Sequence, residues 1–123
     1  MASNRHFRFG PIALPTLLTT NLLNPPTSAG GVNAGALPKY IVLKHLRIVN
    51  KTGAAATFSL WLGATGGNVA GTEFVGTSIN VSGNTAYDWY SPGVRLDVAD
   101  FLVGGSNIAA ALTISGAGEI GVA

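Results

Sequence analysis

The stretch KYIVLKHLRIVNKTGAAATFSLWLG, residues 39–63, decides the fold class. Its first part, residues 39–49, is rich in β-branched and aromatic side chains, and NKTG at 50–53 has the composition of a turn. The part that follows, residues 55–63, alternates between two faces. One face is predicted to hold Phe58, Leu60 and Leu62, and the other Thr57, Ser59 and Trp61. Two such runs separated by a turn predict a β-hairpin.

The basic tetrapeptide KHLR, residues 44–47, lies in the middle of the first of these strands. We expect Leu46 to enter the core and His45 and Arg47 to point outward, with His45 in a structural rather than a catalytic role. Lys44 falls on the core row, so that either its long stem carries the ammonium to an edge or a β-bulge reverses the strand. The predicted core row is Val42, Lys44, Leu46, Ile48 and Asn50, and the outer row is Ile41, Leu43, His45, Arg47 and Val49.

The remainder of residues 39–123 continues as short apolar runs divided by turn sequences rich in Gly, Ser and Asn. These runs predict about seven or eight short strands spaced about 8–12 residues apart, which is typical of an all-β antiparallel sandwich. Whether the sandwich is a jelly roll or immunoglobulin-like stays open, as does the strand order. No long amphipathic helical pattern follows residue 39. We therefore expect residues 39–123 to form one β-sandwich domain.

Residues 1–38 differ from this domain in composition, because they contain every proline of the chain except Pro92. They also carry apolar side chains, among them Phe7 and Phe9, in which disordered segments are poor. We expect residues 1–38 to form an extended Pro- and Gly-rich N-terminal arm. Its apolar side chains are predicted to dock either on the arm's own domain or on a neighbouring copy.

Charge is scarce in this chain and unevenly distributed. Charged residues make up 10% of the 123, against roughly 25% in ordinary soluble domains. Every Lys and Arg except Arg95 lies in residues 1–51, and all five acidic residues lie in residues 52–123. A surface so poor in charge favours a protein whose copies cover one another, and opposite patches suit head-to-tail contact. The basic residues are too sparse for a phosphate-binding stripe, so no nucleic-acid partner is expected.

No residue pattern indicates an enzyme, a cofactor or a metal site. The chain has no Cys and no Gly-x-Ser-x-Gly motif, and Asp97 and Asp100 flank a turn, where Asp is favoured. The Gly-rich segment GATGGNVAG, residues 63–71, matches neither common phosphate-binding loop. No apolar run approaches the length of about 18 residues that spans a membrane. We therefore expect no catalytic residue, no cofactor, no metal and no membrane contact.

Aromatic side chains are the best candidates for a contact surface. Trp61 is predicted on the outer face of its strand, and TAYDWY at 85–90 places Tyr87 and Trp89 together on one face. Trp and Tyr are enriched at protein–protein contacts, although the same rings also suit a carbohydrate platform or a second core layer beneath the arm. The candidate interface residues are Arg5, Phe7, Arg8, Phe9, His45, Arg47, Trp61, Tyr87 and Trp89.

The run YIVLKHLRIVNKTGAAATFSLWLGA, with its motifs LRIVN and TFSLWLG, resembles a segment of small structural proteins of tailed bacteriophages. The later YDWYSPGVRLDVADFLVGG and LTISGAGEI resemble the rest of those proteins. The likeness covers residues 38–123, leaves residues 1–37 out, and departs from the usual pattern at GALPKY. The resemblance implies a virion component that is present in many copies and has no enzyme activity.

Composition and resemblance together predict a non-enzymatic component of a tailed-phage virion, made in the host bacterial cytoplasm. We expect it to assemble as a ring or trimer with copies of itself and to bind other virion proteins. A minor tail or tail-tip position is the first choice, and a capsid decoration protein on the outer shell is the alternative. A carbohydrate-binding host-recognition module is a further alternative, which requires aromatic side chains in a solvent-open groove.

Overall fold

The computed structural model describes residues 3–25, 31–32 and 39–122, which form two antiparallel sheets of four strands each. No described residue is helical, so the described part of the chain contains no helix that could cross a membrane. The strands are β1 (Ser3–Ala13), β2 (Asn21–Leu23), β3 (Tyr40–Asn50), β4 (Ala56–Gly63), β5 (Ile79–Val81), β6 (Ala86–Asp97), β7 (Phe101–Ser106) and β8 (Leu112–Val122).

The strand order identifies the type of sandwich. Sheet A has the order β1-β8-β3-β6 and sheet B the order β2-β7-β4-β5. Two four-stranded sheets wound in this order form a jelly roll. The predicted all-β antiparallel sandwich is therefore confirmed, and of the two architectures left open by the sequence the jelly roll is the one present.

The core lies between the two sheets and is almost entirely aliphatic and aromatic. It contains the predicted inner row of β4, with Phe58 and Leu60 fully buried and Leu62 packed against them. Such burial stabilises a domain by about 25 cal/mol for each Å² of apolar surface removed from water. The largest fully buried side chains are Phe7, Phe9, Leu14, Leu23, Ile41, Leu43, Leu46, Ile48, Phe58, Leu60, Leu96 and Leu102.

The predicted hairpin between β3 and β4 is wrong, because β3 belongs to sheet A and β4 to sheet B. The turn at 50–53 carries the chain from one sheet to the other. Buried Asn50 shapes this crossing, since its Nδ2 donates to the carbonyl oxygens of Ala54 (2.8 Å) and Val81 (3.0 Å). Its Oδ1 accepts from the backbone N–H of Thr52 (2.9 Å). A crossing and a hairpin use the same turn residues, so composition alone does not separate them.

A β-bulge at Lys44 decides which side chains of β3 are buried. The register of β3 with both β6 and β8 shifts between Leu43 and His45. Ile41 and Leu43 are therefore buried before the bulge and Leu46 after it. The predicted placement of Ile41 and Leu43 on the outer row is wrong for this reason, since one extra residue reverses the alternation. The outward placement of His45 and Arg47 and the bulge alternative for Lys44 agree with the structure.

The N-terminal residues contribute a strand of the sandwich rather than a separate arm. Strand β1 pairs with β8 over nearly its whole length, from Ser3 opposite Val122 onward. Phe7 and Phe9 are 0% exposed and fill the core, so the apolar side chains of this segment dock on their own domain. The domain thus includes residues 3–13 and does not begin at residue 39. The parts of the predicted arm at 1–2, 26–30 and 33–38 lie outside the described residues.

Glycines let β8 pack closely between its neighbours. Gly118 lies opposite Leu43 of β3 and Phe7 of β1. A Cβ added at Gly118 would meet the carbonyl oxygen of Val42, which is a backbone atom and does not move aside easily. The sheet at this point therefore requires the absence of a side chain.

Candidate functional site

The outer face of sheet A collects charged and aromatic side chains from all four of its strands. The register brings Arg8 and His45 to either side of Ala117, and His45 beside Tyr90. We call this surface the charged face. Its main side chains are Arg8, Tyr40, Lys44, His45, Arg47, Asp88, Tyr90, Arg95, Asp97 and Glu119.

The centre of the charged face is a stacked pair of rings, His45 and Tyr90. Their centroids are 4.6 Å apart and their planes differ by 14°. The His45 Nε2 lies 2.9 Å from Asp88 Oδ1, and Arg47 Nη1 lies 3.7 Å from the same oxygen. Asp88 therefore orients both basic side chains. Tyr90 remains 72% exposed, so its second ring face is presented to solvent.

Two further charge pairs flank this centre. Lys44 Nζ lies 3.5 Å from Glu119 Oε1, which joins β3 to β8 across the face. Arg95 Nε donates to Asp97 Oδ1 at 2.9 Å, and its guanidinium carbon lies 4.2 Å from the centre of the Tyr40 ring. These pairs are solvent-exposed, and such pairs contribute little to stability. Their consequence is instead a surface whose charges have fixed positions.

The charged face contains a His–Asp pair, formed by His45 and Asp88. A His–Asp pair can act in acid–base catalysis when it also reaches a nucleophile or a substrate proton. In the described ranges, however, no serine or threonine hydroxyl hydrogen-bonds His45, and its other contact is the Tyr90 ring. The described residues also contain no group of three or more His, Asp or Glu side chains arranged to hold a metal ion.

Sheet B presents the opposite kind of surface. Its four strands contain no Asp, Glu, Lys or Arg. Residues 14–20 flank it, because Gly104 N–H donates to the Thr20 carbonyl oxygen (3.0 Å) and Ser106 N–H to that of Pro15 (2.9 Å). We call the outer side of sheet B together with residues 14–20 the neutral face.

A shallow depression of about 190 Å³ lies in the neutral face. Its wall is fixed by hydrogen bonds, since Ser59 Oγ accepts from the Ser78 N–H (2.8 Å) and Asn107 Oδ1 accepts from the Thr57 N–H (2.8 Å). The depression is lined by Thr16, Leu18, Thr57, Ser59, Ser78, Ser106 and Asn107. The lining is hydroxyl-rich and carries no charged residue.

Apolar side chains are exposed around this depression. Leu17 is 65% exposed and Leu18, on the depression's wall, is 38% exposed. Ile108, next to Asn107, is also exposed. Exposed leucines beside uncharged polar groups resemble the core of a protein–protein contact, where charged residues are depleted.

The candidate interface residues named from the sequence fall into two groups. Arg5, Arg8 and Arg47 are exposed, and His45 is half-buried on the charged face. Phe7, Phe9 and Trp61 are buried, with Trp61 only 7% exposed although it lies outside the core cluster. Tyr87 and Trp89 are half-buried and pack against the core.

The two half-buried aromatics of β6 are held by ring contacts inside the sandwich. Tyr87 meets Phe58 edge-on with centroids 5.4 Å apart, and Trp89 meets Phe74 edge-on at 4.9 Å. Their alternation along the strand was predicted correctly, but their face is the inner one. The neighbouring Tyr90 is the exposed aromatic, and its alternation with Trp89 was the available signal for it.

Comparisons with protein families, curated proteins and solved structures give no match to this chain.

Proposed function

We propose that the chain is a non-enzymatic structural subunit of a tailed-phage virion that works in several copies, with a minor tail or tail-tip position as the first choice. Two lines of reasoning support this proposal. The first is the resemblance of residues 38–123 to small phage structural proteins, carried by LRIVN and TFSLWLG. The second is the division of the surface into a charged face and a neutral face.

The observation that carries the proposal is the neutral face. On this face Leu17 is 65% exposed and Leu18 is 38% exposed, beside a hydroxyl-rich depression that has no charged residue in its lining. Exposed apolar patches on soluble proteins commonly mark contacts. We infer that this face is covered by another virion protein or by another copy, and that the leucines lie at the centre of the contact.

The charged face supplies a second surface of different character. Lys44, Arg47 and Arg95 each lie within 4 Å of a carboxylate of the same chain, around the exposed ring of Tyr90. Arranged charges of both signs fix the orientation of a partner more than they add affinity. A subunit with one uncharged and one charged side has two distinguishable surfaces, as a component between different neighbours requires.

Capsid decoration remains the alternative position, and the jelly roll is compatible with it because viral capsid domains commonly have this fold. Fold alone does not assign function, and lectins share the same architecture. The carbohydrate hypothesis required Trp61 and Trp89 in an open groove. Trp61 is buried and Trp89 packs on Phe74, so that hypothesis retains only the hydroxyl-lined depression and Tyr90.

The test is to tag the chain in the phage that encodes it and to purify particles by density gradient. Mass spectrometry would show whether the chain is present in several copies per particle, and gold-labelled antibody would locate it on tail or capsid. Leu17→Asp should reduce incorporation at least tenfold, because a carboxylate would be buried without a partner in the contact. Val98→Asp, which changes an exposed valine in the turn after β6, should incorporate normally. Absence of the chain from purified particles would contradict the proposal.

A further inference from the structure

Strand β6 is the long open edge of sheet A. In the described part of the chain, its backbone between Ala86 and Leu96 pairs only with β3. The other edges differ: β2 and β5 have three residues each, and on β1 the Arg8 N–H donates to the Val32 carbonyl oxygen at 3.1 Å. A long unpaired edge is a template for a strand from another chain.

A bulge divides β6 into two halves of opposite alternation. Leu43 pairs with Val94 and His45 with Tyr90, so residues 91–93 of β6 stand opposite Lys44 alone. The inward side chains are therefore odd-numbered before the bulge and even-numbered after it. The first half turns Tyr87 and Trp89 inward, the second half turns Val94 and Leu96 inward, and the outward charges are Asp88, Arg95 and Asp97.

This reversal makes β6 complementary to itself when two copies run antiparallel. If Asp88 lies opposite Arg95 of the second copy, then Trp89 lies opposite Val94 and Tyr87 opposite Leu96. Every inward side chain then faces an inward one, and the opposite charges meet twice because the arrangement is two-fold symmetric.

Neighbouring registers do not share these properties. A slip of two residues in one direction sets Asp88 opposite Asp97 of the second copy, and like charges directly opposite are unfavourable. A slip of two in the other direction sets Asp88 opposite Gly93 and Arg95 opposite Ala86, so the opposite charges no longer meet. Slips of one residue place inward side chains opposite outward ones.

We propose that two copies of this chain associate edge to edge through β6, antiparallel about a two-fold axis between Ser91 and Pro92. The contact joins their two four-stranded A sheets into one continuous sheet. This inference rests on the proposed function only in assuming that the chain works in several copies, and it names the surface through which two of them pair.

The residues at the axis fit this arrangement. Tyr90, 72% exposed in the single chain, comes opposite Gly93 of the second copy, where its ring covers a position without a side chain. Pro92 lies at the axis itself, so its missing N–H interrupts the ladder at the centre and leaves four-residue pairings on each side. Because the contact is two-fold symmetric and occupies the same edge of both copies, the assembly closes at two copies.

The experiment uses the full chain with reversed charges. Sedimentation equilibrium should show a dimer for the wild type. Asp88→Arg alone and Arg95→Asp alone should each raise the dimer dissociation constant by about tenfold or more, because each sets like charges opposite one another twice. A mixture of the two variants should restore the dimer, since Arg at 88 then faces Asp at 95 and the native Arg95 faces the native Asp88. Arg8→Asp, on the opposite edge of sheet A, should dimerise as the wild type does.

The outcomes separate this inference from the proposed function. A monomeric wild type, or single variants that dimerise as tightly as the wild type, would overturn the β6 contact. Failure of the mixture to restore the dimer would also overturn it, provided that circular dichroism shows both variants folded. Particle purification tests the proposed function separately, because absence of the chain from virions would contradict that function alone. Restoration of the dimer by mixing the two variants would support the β6 contact whatever the particles contain.

Discussion

The strongest prediction concerns Phe7, whose side chain decides whether the N-terminal segment is part of the domain. Phe7 is 0% exposed, and its ring lies 6.2 Å from that of Phe9 in the core. Replacing a buried Phe by Ala costs about 3–5 kcal/mol, because the apolar contact is lost and a cavity remains. Domains have a total stability of about 5–15 kcal/mol, so Phe7→Ala should remove about a fifth of it or more.

Urea unfolding measures this loss. With a dependence of about 2 kcal/mol per molar urea, a loss of about 4 kcal/mol lowers the midpoint by about 2 M. Tryptophan fluorescence reports the transition, since Trp61 is buried and Trp89 half-buried. Arg8→Ala is the matched control, because Arg8 is the next residue of β1 and its side chain is exposed. Its midpoint should shift by less than about 0.3 M.

Equal midpoint shifts for Phe7→Ala and Arg8→Ala would contradict the burial of Phe7 in the core. That result would mean that the segment at 3–13 leaves the domain in solution, as an arm would. Deleting residues 1–13 checks the same point by a different route. We expect the truncated chain to lose its cooperative unfolding transition, because β8 would become a bare edge and the core would lose both Phe7 and Phe9.

Three further predictions concern stability. Gly118→Ala should destabilise the domain by about 1–3 kcal/mol, because the added Cβ would meet a backbone carbonyl of β3. Gly53→Ala is the control and should be nearly neutral, because a Cβ added there has no heavy atom within 4 Å. Thermal unfolding of the two variants checks this difference. Asn50→Ala should lower the free energy of unfolding by about 2–3 kcal/mol, because it leaves buried carbonyl groups unpaired. Asn80 is exposed, so Asn80→Ala should lower it little. Equal urea midpoints for these two variants would contradict the role of Asn50 at the sheet crossing. Lys44→Ala should change the free energy of unfolding by less than about 1 kcal/mol, because the ion pair of Lys44 with Glu119 is solvent-exposed. A larger loss of stability in urea unfolding would mean that the charged face stabilises the fold.

The sequence predicted those parts of the fold that depend on alternation within one strand. Phe58, Leu60 and Leu62 of β4 share the core face as expected, because nothing interrupts the period of two in that strand. In β3 one extra residue at Lys44 reverses the period, and the identity of the residues does not say where a bulge falls. The same limitation explains why the sequence pattern places Ile41 and Leu43 on the outer row.

Features that depend on distant parts of the chain were not predictable in this way. A turn at 50–53 joins two strands whether they pair or enter different sheets, so the crossing anchored by Asn50 has no local signature. Trp61 follows the outward alternation but is buried, because a face that is outer with respect to the core is not necessarily open to solvent. The prolines of residues 1–38 indicated an arm, although Phe7 and Phe9 already had the spacing of a strand.

The pairing of β1 with β8 has a consequence for the newly made polypeptide. Ser3 lies opposite Val122, so β1 leaves the ribosome before the other described strands and joins β8 only after nearly all of the described chain has been synthesised. Until then Phe7 and Phe9 have no core to enter, and exposed apolar segments of nascent chains tend to aggregate. The docking of β1 on β8 should also be slow, because these strands are far apart in the sequence and pairing between distant residues carries a large entropic barrier. Yield in the cell should therefore depend on protection of β1 during translation.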